Sequence, residues 1–343
     1  MALSSSARQA VERRIGFLEG VASSVIIDAD AHPSDPALYP ADIASRVAGS
    51  DNYYHGRPIT GDELLAEMDQ SGVDMALCWQ NPAVTRYGDD PGRNFEALYQ
   101  ANAYISSFAE ANPTRVVPGG WTDPKALGLD GALEMARLCI EEFGFPIVKM
   151  NPAQNAYPID SSMVMETVDR IVSLGAVPAF HFGSDTPFTP ASGLERVARR
   201  HPSHPLIAVH MGGGGGHFVE AEETYLAARD LGLRCPNIFY VLSAKRDTHI
   251  ESDMITYALA GEPFRGNIAV ASDVPYGRIA WNFGGFRGLF ATLSDGAVHN
   301  DPRLKANPGL FDADLIARFL GGNMARLVVE ADRRLLAKNR ASR

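Results

Sequence analysis

Cysteine is scarce in this chain. Cys78, Cys139 and Cys235 are the three among 343 residues, an odd number with no Cys-x-x-Cys pair. That excludes a disulfide scaffold and fits a reducing cytoplasm, where the protein is expected. Long apolar runs are missing as well. No stretch of about 18 apolar residues occurs, so no membrane span is expected. The opening MALSSSARQAVERRIGFLEG is broken by Glu12, Arg13 and Arg14. It reads as an N-terminal arm or short helix over 1–23, not as a signal peptide. Positive charge is in deficit, with 31 Lys and Arg against 41 Asp and Glu and a net charge of -10. A nucleic-acid surface needs clustered basic residues, so nucleic acid is not an expected partner. The chain also has no internal repeat, no low-complexity tract and no clear interdomain linker.

What remains is an ordinary globular composition, 45% hydrophobic and 21% charged. Eight short apolar runs recur along the chain: Val25–Asp28, Asp74–Trp79, Val116–Trp121, Pro146–Met150, Val177–Phe182, Leu206–His210, Ile238–Leu242 and Ile268–Ala271. Most are apolar throughout rather than alternating, as in parallel strands buried on both faces. Helical spacing fills most of the gaps. Thr60-Gly61-Asp62-Glu63 is a capping box ahead of one such helix. Eight βα units predict an α/β fold, a closed (β/α)8 TIM barrel, over 24–330, with 331–343 as a C-terminal tail. A doubly wound open sheet would call for a Gly-rich phosphate turn after an early strand, and none follows the first run. The long connection from Pro33 to Thr60, with Tyr53, Tyr54 and His55, is expected to be a lid, a substrate wall or a structural excursion over the barrel end.

In a parallel barrel the active site lies at the C-terminal strand ends. The first run leads into Asp28, Asp30 and His32, in VIIDADAHP. The fourth ends in Lys149, the fifth in His181, the sixth in His210 and the eighth in Asp273. Taken singly, each has a packing or capping explanation. Taken together, so many buried polar groups cost several kcal/mol unless they satisfy one another. A divalent metal answers that cost, because carboxylate and imidazole are its ordinary ligands. Residues i and i+2 of a strand share a face, so Asp30 and His32 aim at one point. Asp28 has the same parity but lies deeper, and is assigned to support of a ligand.

This set resembles the amidohydrolase superfamily: Asp-x-His on the first strand, His on the fifth, His-Met-Gly-Gly on the sixth and Ser-Asp-x-Pro on the eighth. The nearer likeness is to the amidohydrolase-related branch that includes aminocarboxymuconate semialdehyde decarboxylase and γ-resorcylate decarboxylase. The closing GGNMARLVV, Gly321 to Val329, is similar to that branch's Gly-Gly-Asn-x-x-Arg-Leu signature, and VKMNPAQNAYPID resembles its fourth-strand Lys-Leu-His-Pro stretch. The resemblance implies one divalent metal, zinc first and manganese second, held by Asp30, His32, His181 and Asp273. It places His210 beside the metal as a polarising or acid–base group, and it implies a homodimer. The chain departs from the branch at Asp30, which stands where a His is common, at Asn151 for His, and in lacking Trp after Ser-Asp. The first departure hardens the site and brings manganese forward.

A metal with an open position lowers the pKa of bound water to about 7. With Asp273 and His210 as catalytic groups, this constellation implies a hydrolase of a small cyclic or carboxylate-bearing substrate. The alternative is a non-oxidative decarboxylase of an aromatic or unsaturated acid. A non-catalytic barrel binding metal and ligand is the reading of another class, and a poised acid–base pair argues against it. Lys149 has three readings: a cation for a substrate carboxylate, a carbamylated bridge between two metals, or a structural partner of a nearby carboxylate. Trp79, Trp121, Phe182, Phe188 and Tyr276 fall at strand ends, where some would stack on a planar substrate. Ser243, Lys245 and Arg278 are further candidates for a substrate anion. The glycine run Gly212–Gly216 would let backbone approach a ligand or serve only as a turn before a helix opening at His217.

Overall fold

The uninterrupted apolar runs become parallel strands, and the strands form a ring. In the computed structural model, residues 3–49, 57–183, 187–213, 222–295 and 300–341 are described. The strands among them are β1 (Ile27–Ala31), β2 (Met75–Cys78), β3 (Val116–Pro118), β4 (Gly120–Trp121), β5 (Ile147–Met150), β6 (Val177–Gly183), β7 (Leu206–Gly212), β8 (Ile238–Leu242) and β9 (Ile268–Val270). All pair in parallel, β1-β2-β3 in one ladder and β4 to β9 in the other. Their residues are buried, with His181 the one exception.

The expected third strand is split. Val116–Pro118 pairs with β2, and Gly120–Trp121 pairs with β5. Gly119 lies between, its N–H donating to the Cys78 carbonyl at 2.8 Å. A Cβ at Gly119 would lie 2.6 Å from the Trp79 ring. The indole takes the space a side chain would need, and the strand kinks around it. The ring closes between β9 and β1 by a bridge from Ala31 to Val274 and a His32 N–H bond of 2.8 Å to the Val274 carbonyl. With β3 and β4 as one broken strand, this is the (β/α)8 barrel.

Helices follow the strands as the amphipathic spacing predicts. Thr60 forms the reciprocal capping box with Glu63. Asp90 caps Pro91–Ala111, with proline at the first turn. Within the 1–23 segment lies a helix, Ser5–Val21, capped by Ser4. Residues 331–341, expected as a tail, continue the helix Asn323–Ala341. Asp332 and Leu335 are fully buried there, because this helix turns its inner face to the N-terminal one. Arg14 joins the two, donating to Asp332 at 2.7 and 2.6 Å and to the Gly144 carbonyl at 2.8 Å.

The Gly-Gly-Asn motif is a docking device. A Cβ at Gly321 would lie 2.1 Å from the Val25 carbonyl, so only glycine lets the turn approach the start of β1. Asn323 donates to the Arg265 and Ile268 carbonyls, each at 2.8 Å, next to β9. The connection from Pro33 to Thr60 carries a short turn, Pro36–Leu38, and a helix, Ala41–Ala48. Tyr53, Tyr54, His55, His217, His299 and Gly214–Gly216 lie outside the described residues. No helix among the described residues is long and apolar enough to cross a membrane.

Candidate metal centre

The site grows from β1. Asp28 and Asp30 are fully buried, and His32 nearly so. Asp28 accepts the Ser272 N–H at 2.8 Å and the Ser272 hydroxyl. It ties β1 to the end of β9. Burial pushes its carboxyl up to about 7, against the hydrogen bonds from Ser272.

Asp30 is the hub. It accepts the Trp79 indole N–H at 2.7 Å, the Lys149 ammonium at 3.1 Å and the Ser243 hydroxyl at 3.2 Å. Burial opposes its ionisation. The Lys149 charge and contacts with His32 together outweigh burial and hold it well below the usual carboxylate range. Lys149 is thus paired with a nearby carboxylate, the kind of partner its third reading names. Its ammonium is buried against Asp30, 4.3 Å over the Trp79 ring and 5.2 Å from that of Trp121.

His32 fixes what this cluster can hold. Its Nδ1 lies 2.8 Å from the Gln80 carbonyl, which only accepts, so Nδ1 carries the proton. Burial, then the Lys149 charge, lower its basicity and keep it neutral. Nε2 therefore presents a lone pair, 3.3 Å from Asp30 and 3.6 Å from Asp273. Three acceptors face one another. Asp30, His32 and Asp273 have donor atoms within 4.8 Å of each other, and all three are buried. Burial and then the negative charge of Asp30 drive Asp273 well above the carboxylate range. Acceptors crowded this way are what a divalent cation relieves, and the His32 tautomer is the one a metal needs. The residues fit a divalent metal.

His181 lies outside that group. Its ring packs edge-on against His210, with centroids 4.6 Å apart. His210 Nδ1 is 2.9 Å from Ser243 Oγ. Ser243 spends its one hydrogen on Asp30, so His210 donates from Nδ1 and keeps a lone pair on Nε2. Burial, and then His181, hold His210 well below the usual imidazole range.

The expected substrate contacts divide. The Trp79, Trp121 and Tyr276 rings surround His32 at 6.4, 6.2 and 5.9 Å between centroids. The Tyr276 hydroxyl donates to Asn81 at 2.8 Å. The Trp121 indole N–H is buried with no partner among the described residues. Arg278 turns to Glu67 at 3.7 Å and stacks on Trp281 at 5.0 Å. The sequence reading missed Gln80 and Asn81, which orient His32 and Tyr276, and gave Ser272 no role of its own. Their one signal is position, directly after an apolar run.

Asp273 and His210 share a further feature. Both are non-glycine residues with positive φ, 58° and 75°. Such backbone is uncommon for side-chain-bearing residues and concentrates at functional sites.

Comparison with known proteins agrees with this architecture. Among solved structures, a 2,6-dihydroxybenzoate decarboxylase complexed with 2,6-dihydroxybenzoate aligns with a TM-score of 0.60 and 16% identity, over 89% of this chain and 98% of the other. A 5-carboxyvanillate decarboxylase from Sphingomonas paucimobilis gives 0.62 and 16%, over 89% and 99%. A dihydroxybenzoic acid decarboxylase from Polaromonas sp. JS666, with bound manganese and the inhibitor 2-nitroresorcinol, gives 0.60 and 14%, over 89% and 97%. No curated protein sequence matches. The family profile described as Amidohydrolase (Amidohydro_2) matches residues 27–328, from the strand that carries Asp30 and leads into His32 through the Gly-Gly-Asn turn. The chain therefore belongs to the amidohydrolase family.

Proposed function

We propose that the protein is a divalent-metal-dependent, non-oxidative decarboxylase of a hydroxylated aromatic carboxylic acid. The observation that carries this reading is a buried Asp30–His32–Asp273 acceptor cluster walled by the rings of Trp79, Trp121 and Tyr276. The wall suits a planar ring and the cluster suits a cation that binds oxygen. Proteins of this architecture with named aromatic-acid decarboxylase activity favour carbon–carbon cleavage over the hydrolysis first expected.

Asp30, His32 and Asp273 would hold the metal; His181, expected as a fourth ligand, packs against His210 outside that group. Two carboxylates to one imidazole make a hard donor set, so manganese is the first choice and zinc the second. Bound there, the metal would supply positive charge for the substrate's carboxylate and a neighbouring oxygen. The chain's residues do the rest. Trp121 and Tyr276 orient the ring. Asp273 is the most exposed of the three, its side chain 13% accessible against 0% for Asp30, so it faces the side from which substrate arrives. It delivers a proton to the ring carbon bearing the carboxylate. The carbon–carbon bond then breaks, its electron pair restores the ring, and carbon dioxide leaves. Asp273 regains its proton from solvent. His210, neutral with a lone pair on Nε2, accepts the hydrogen of a ring hydroxyl, enriches the ring in electrons and returns the hydrogen to that oxygen once carbon dioxide has left.

The test is a panel of hydroxybenzoates, 5-carboxyvanillate, lactones and N-acyl compounds, assayed for carbon dioxide release and for hydrolysis, with chelated, manganese-loaded and zinc-loaded protein. Metal-dependent carbon dioxide release from a hydroxylated aromatic acid is expected. Hydrolysis of a lactone or N-acyl compound without any decarboxylation overturns the reading.

A further inference from the structure

Strand β7 ends in three consecutive left-handed residues, His210, Met211 and Gly212, with φ of 75°, 47° and 84°. Glycine adopts this backbone freely, whereas histidine and methionine resist it. Something must hold the turn. Across from it, β8 runs into Ser243, Ala244 and Lys245, and Ala244 is left-handed too, with φ 46°. The two turns interlock. The Gly213 N–H donates to the His210 carbonyl at 2.9 Å, and a Cβ on Gly213 would lie 2.7 Å from the Ala244 carbonyl.

The residues on either side of Ala244 do different work. Ser243 holds the His210 ring, at 2.9 Å from Nδ1. Lys245 holds the backbone, its ammonium donating to the Met211 carbonyl at 3.0 Å. That ammonium also binds Asp253, which takes Arg229 Nε at 2.6 Å. The Lys245 and Asp253 side chains are fully buried, and the ammonium lies 4.8 Å from the Tyr225 ring. Asp253 and Arg229 come from the helices Asp247–Ala260 and Glu222–Arg234. Apolar side chains of similar volume commonly join helices at least as well as a buried ion cluster does, so stability does not account for these charges. What they add is direction, a fixed donor aimed at the carbonyl next to His210.

We propose that Lys245, braced by Asp253 and Arg229, is a positioning residue that holds the left-handed turn after β7 and so aims the His210 imidazole. Its kinetic consequence rests on the decarboxylase reading, and its structural consequence does not. Lys245→Met leaves Asp253 paired with Arg229, and Lys245→Gln keeps a neutral donor. For Lys245→Met, kcat on 2,6-dihydroxybenzoate or 5-carboxyvanillate should fall on the order of 10²-fold, as for an angstrom-scale misplacement. KM and metal content should stay near wild type, and the melting temperature should fall by only a few degrees, as for loss of one partner of a buried ion pair. Lys245→Gln should retain more activity. Combined with His210→Asn, Lys245→Met should add no further loss, since both act through one imidazole. Nitrogen-15 NMR of the histidines should show the His210 Nδ1–H tautomer in the wild type and a mixture in Lys245→Met. Normal kcat, losses that multiply with His210→Asn, or an unchanged tautomer would each overturn the proposal. If Lys245→Met does not fold, Lys245→Gln carries both measurements. If the wild type decarboxylates nothing, the functional reading fails and the NMR result alone decides the tether.

Discussion

Replacing Lys149 with methionine separates the roles a cation can play at this site. The substitution keeps the length and apolar stem and removes the charge 3.1 Å from Asp30. At an effective dielectric of about 20, that separation corresponds to about 5 kcal/mol of attraction. Breaking a buried pair typically costs about 3–5 kcal/mol. Asp30 keeps its bonds from Trp79 and Ser243, so the lower end applies, about 3 kcal/mol in metal-free protein. Unfolding entropy of about 2.1 cal/mol/K per residue over 343 residues turns this into a fall of roughly 4 °C in Tm. Metal-loaded protein should behave differently. A divalent cation would compensate Asp30 itself, and Lys149 would then be a like charge nearby. Losing it should cost the loaded form little, and by linkage the variant should bind metal on the order of 10²-fold more tightly. Calorimetric melting of chelated and manganese-loaded protein, with a manganese titration, measures both. If Lys149→Met loses metal while its chelated form melts as the wild type does, Lys149 belongs to the metal's own ligand set and the pairing argument is wrong.

Asp273→Asn keeps the shape and one acceptor but cannot deliver a proton; turnover should fall on the order of 10²–10⁴-fold with the fold retained, checked by steady-state kinetics and melting. Trp121→Phe keeps the ring wall and removes a buried N–H that lacks a protein partner, so KM for an aromatic acid should rise about tenfold if that N–H meets a substrate oxygen, and stay level if it does not. His204 donates to the Ala176 carbonyl and is lowered to about 4 by burial. The unfolded chain binds the extra proton between about pH 6.5 and 4, so stability should fall on acidification through that window, and His204→Gln should flatten the dependence in a pH series of melts.

Much of the fold was legible because a parallel strand buried on both faces needs an unbroken apolar run, and Ile238–Leu242 was read to the residue. The misread edges have physical causes. The first strand was ended at Asp28, yet β1 runs on to Ala31. Its carboxylates are satisfied from other strands, so a charge does not stop it. The break at Gly119 depends on Trp79, forty residues earlier, and no local pattern reveals it. The meeting of Asp30, His32 and Asp273 followed from strand parity and the common end of the barrel. The partner of Lys149 did not, because a long side chain reaches either the open mouth or a neighbour, and spacing is silent on which. Arg278 fell to the same ambiguity: the residue lies near the expected place and its guanidinium turns to Glu67.

The two aspartates of β1 explain why this strand carries the chemistry. Asp28 reaches Ser272 after β9, and Asp30 reaches Trp79 after β2, Lys149 on β5 and Ser243 after β8. One strand is thereby fastened by side chains to four other strand ends. The fastenings of Asp30 are charge-assisted hydrogen bonds in a water-poor interior, where such bonds are strong and reorganise little. A cation arriving between Asp30, His32 and Asp273 would meet ligands already oriented by these bonds and need not order them itself. The same fastenings set a limit. Asp30 already has three donors, so charge added by a metal must be shared with Lys149, and the balance between the two cations sets how tightly the centre holds its ion.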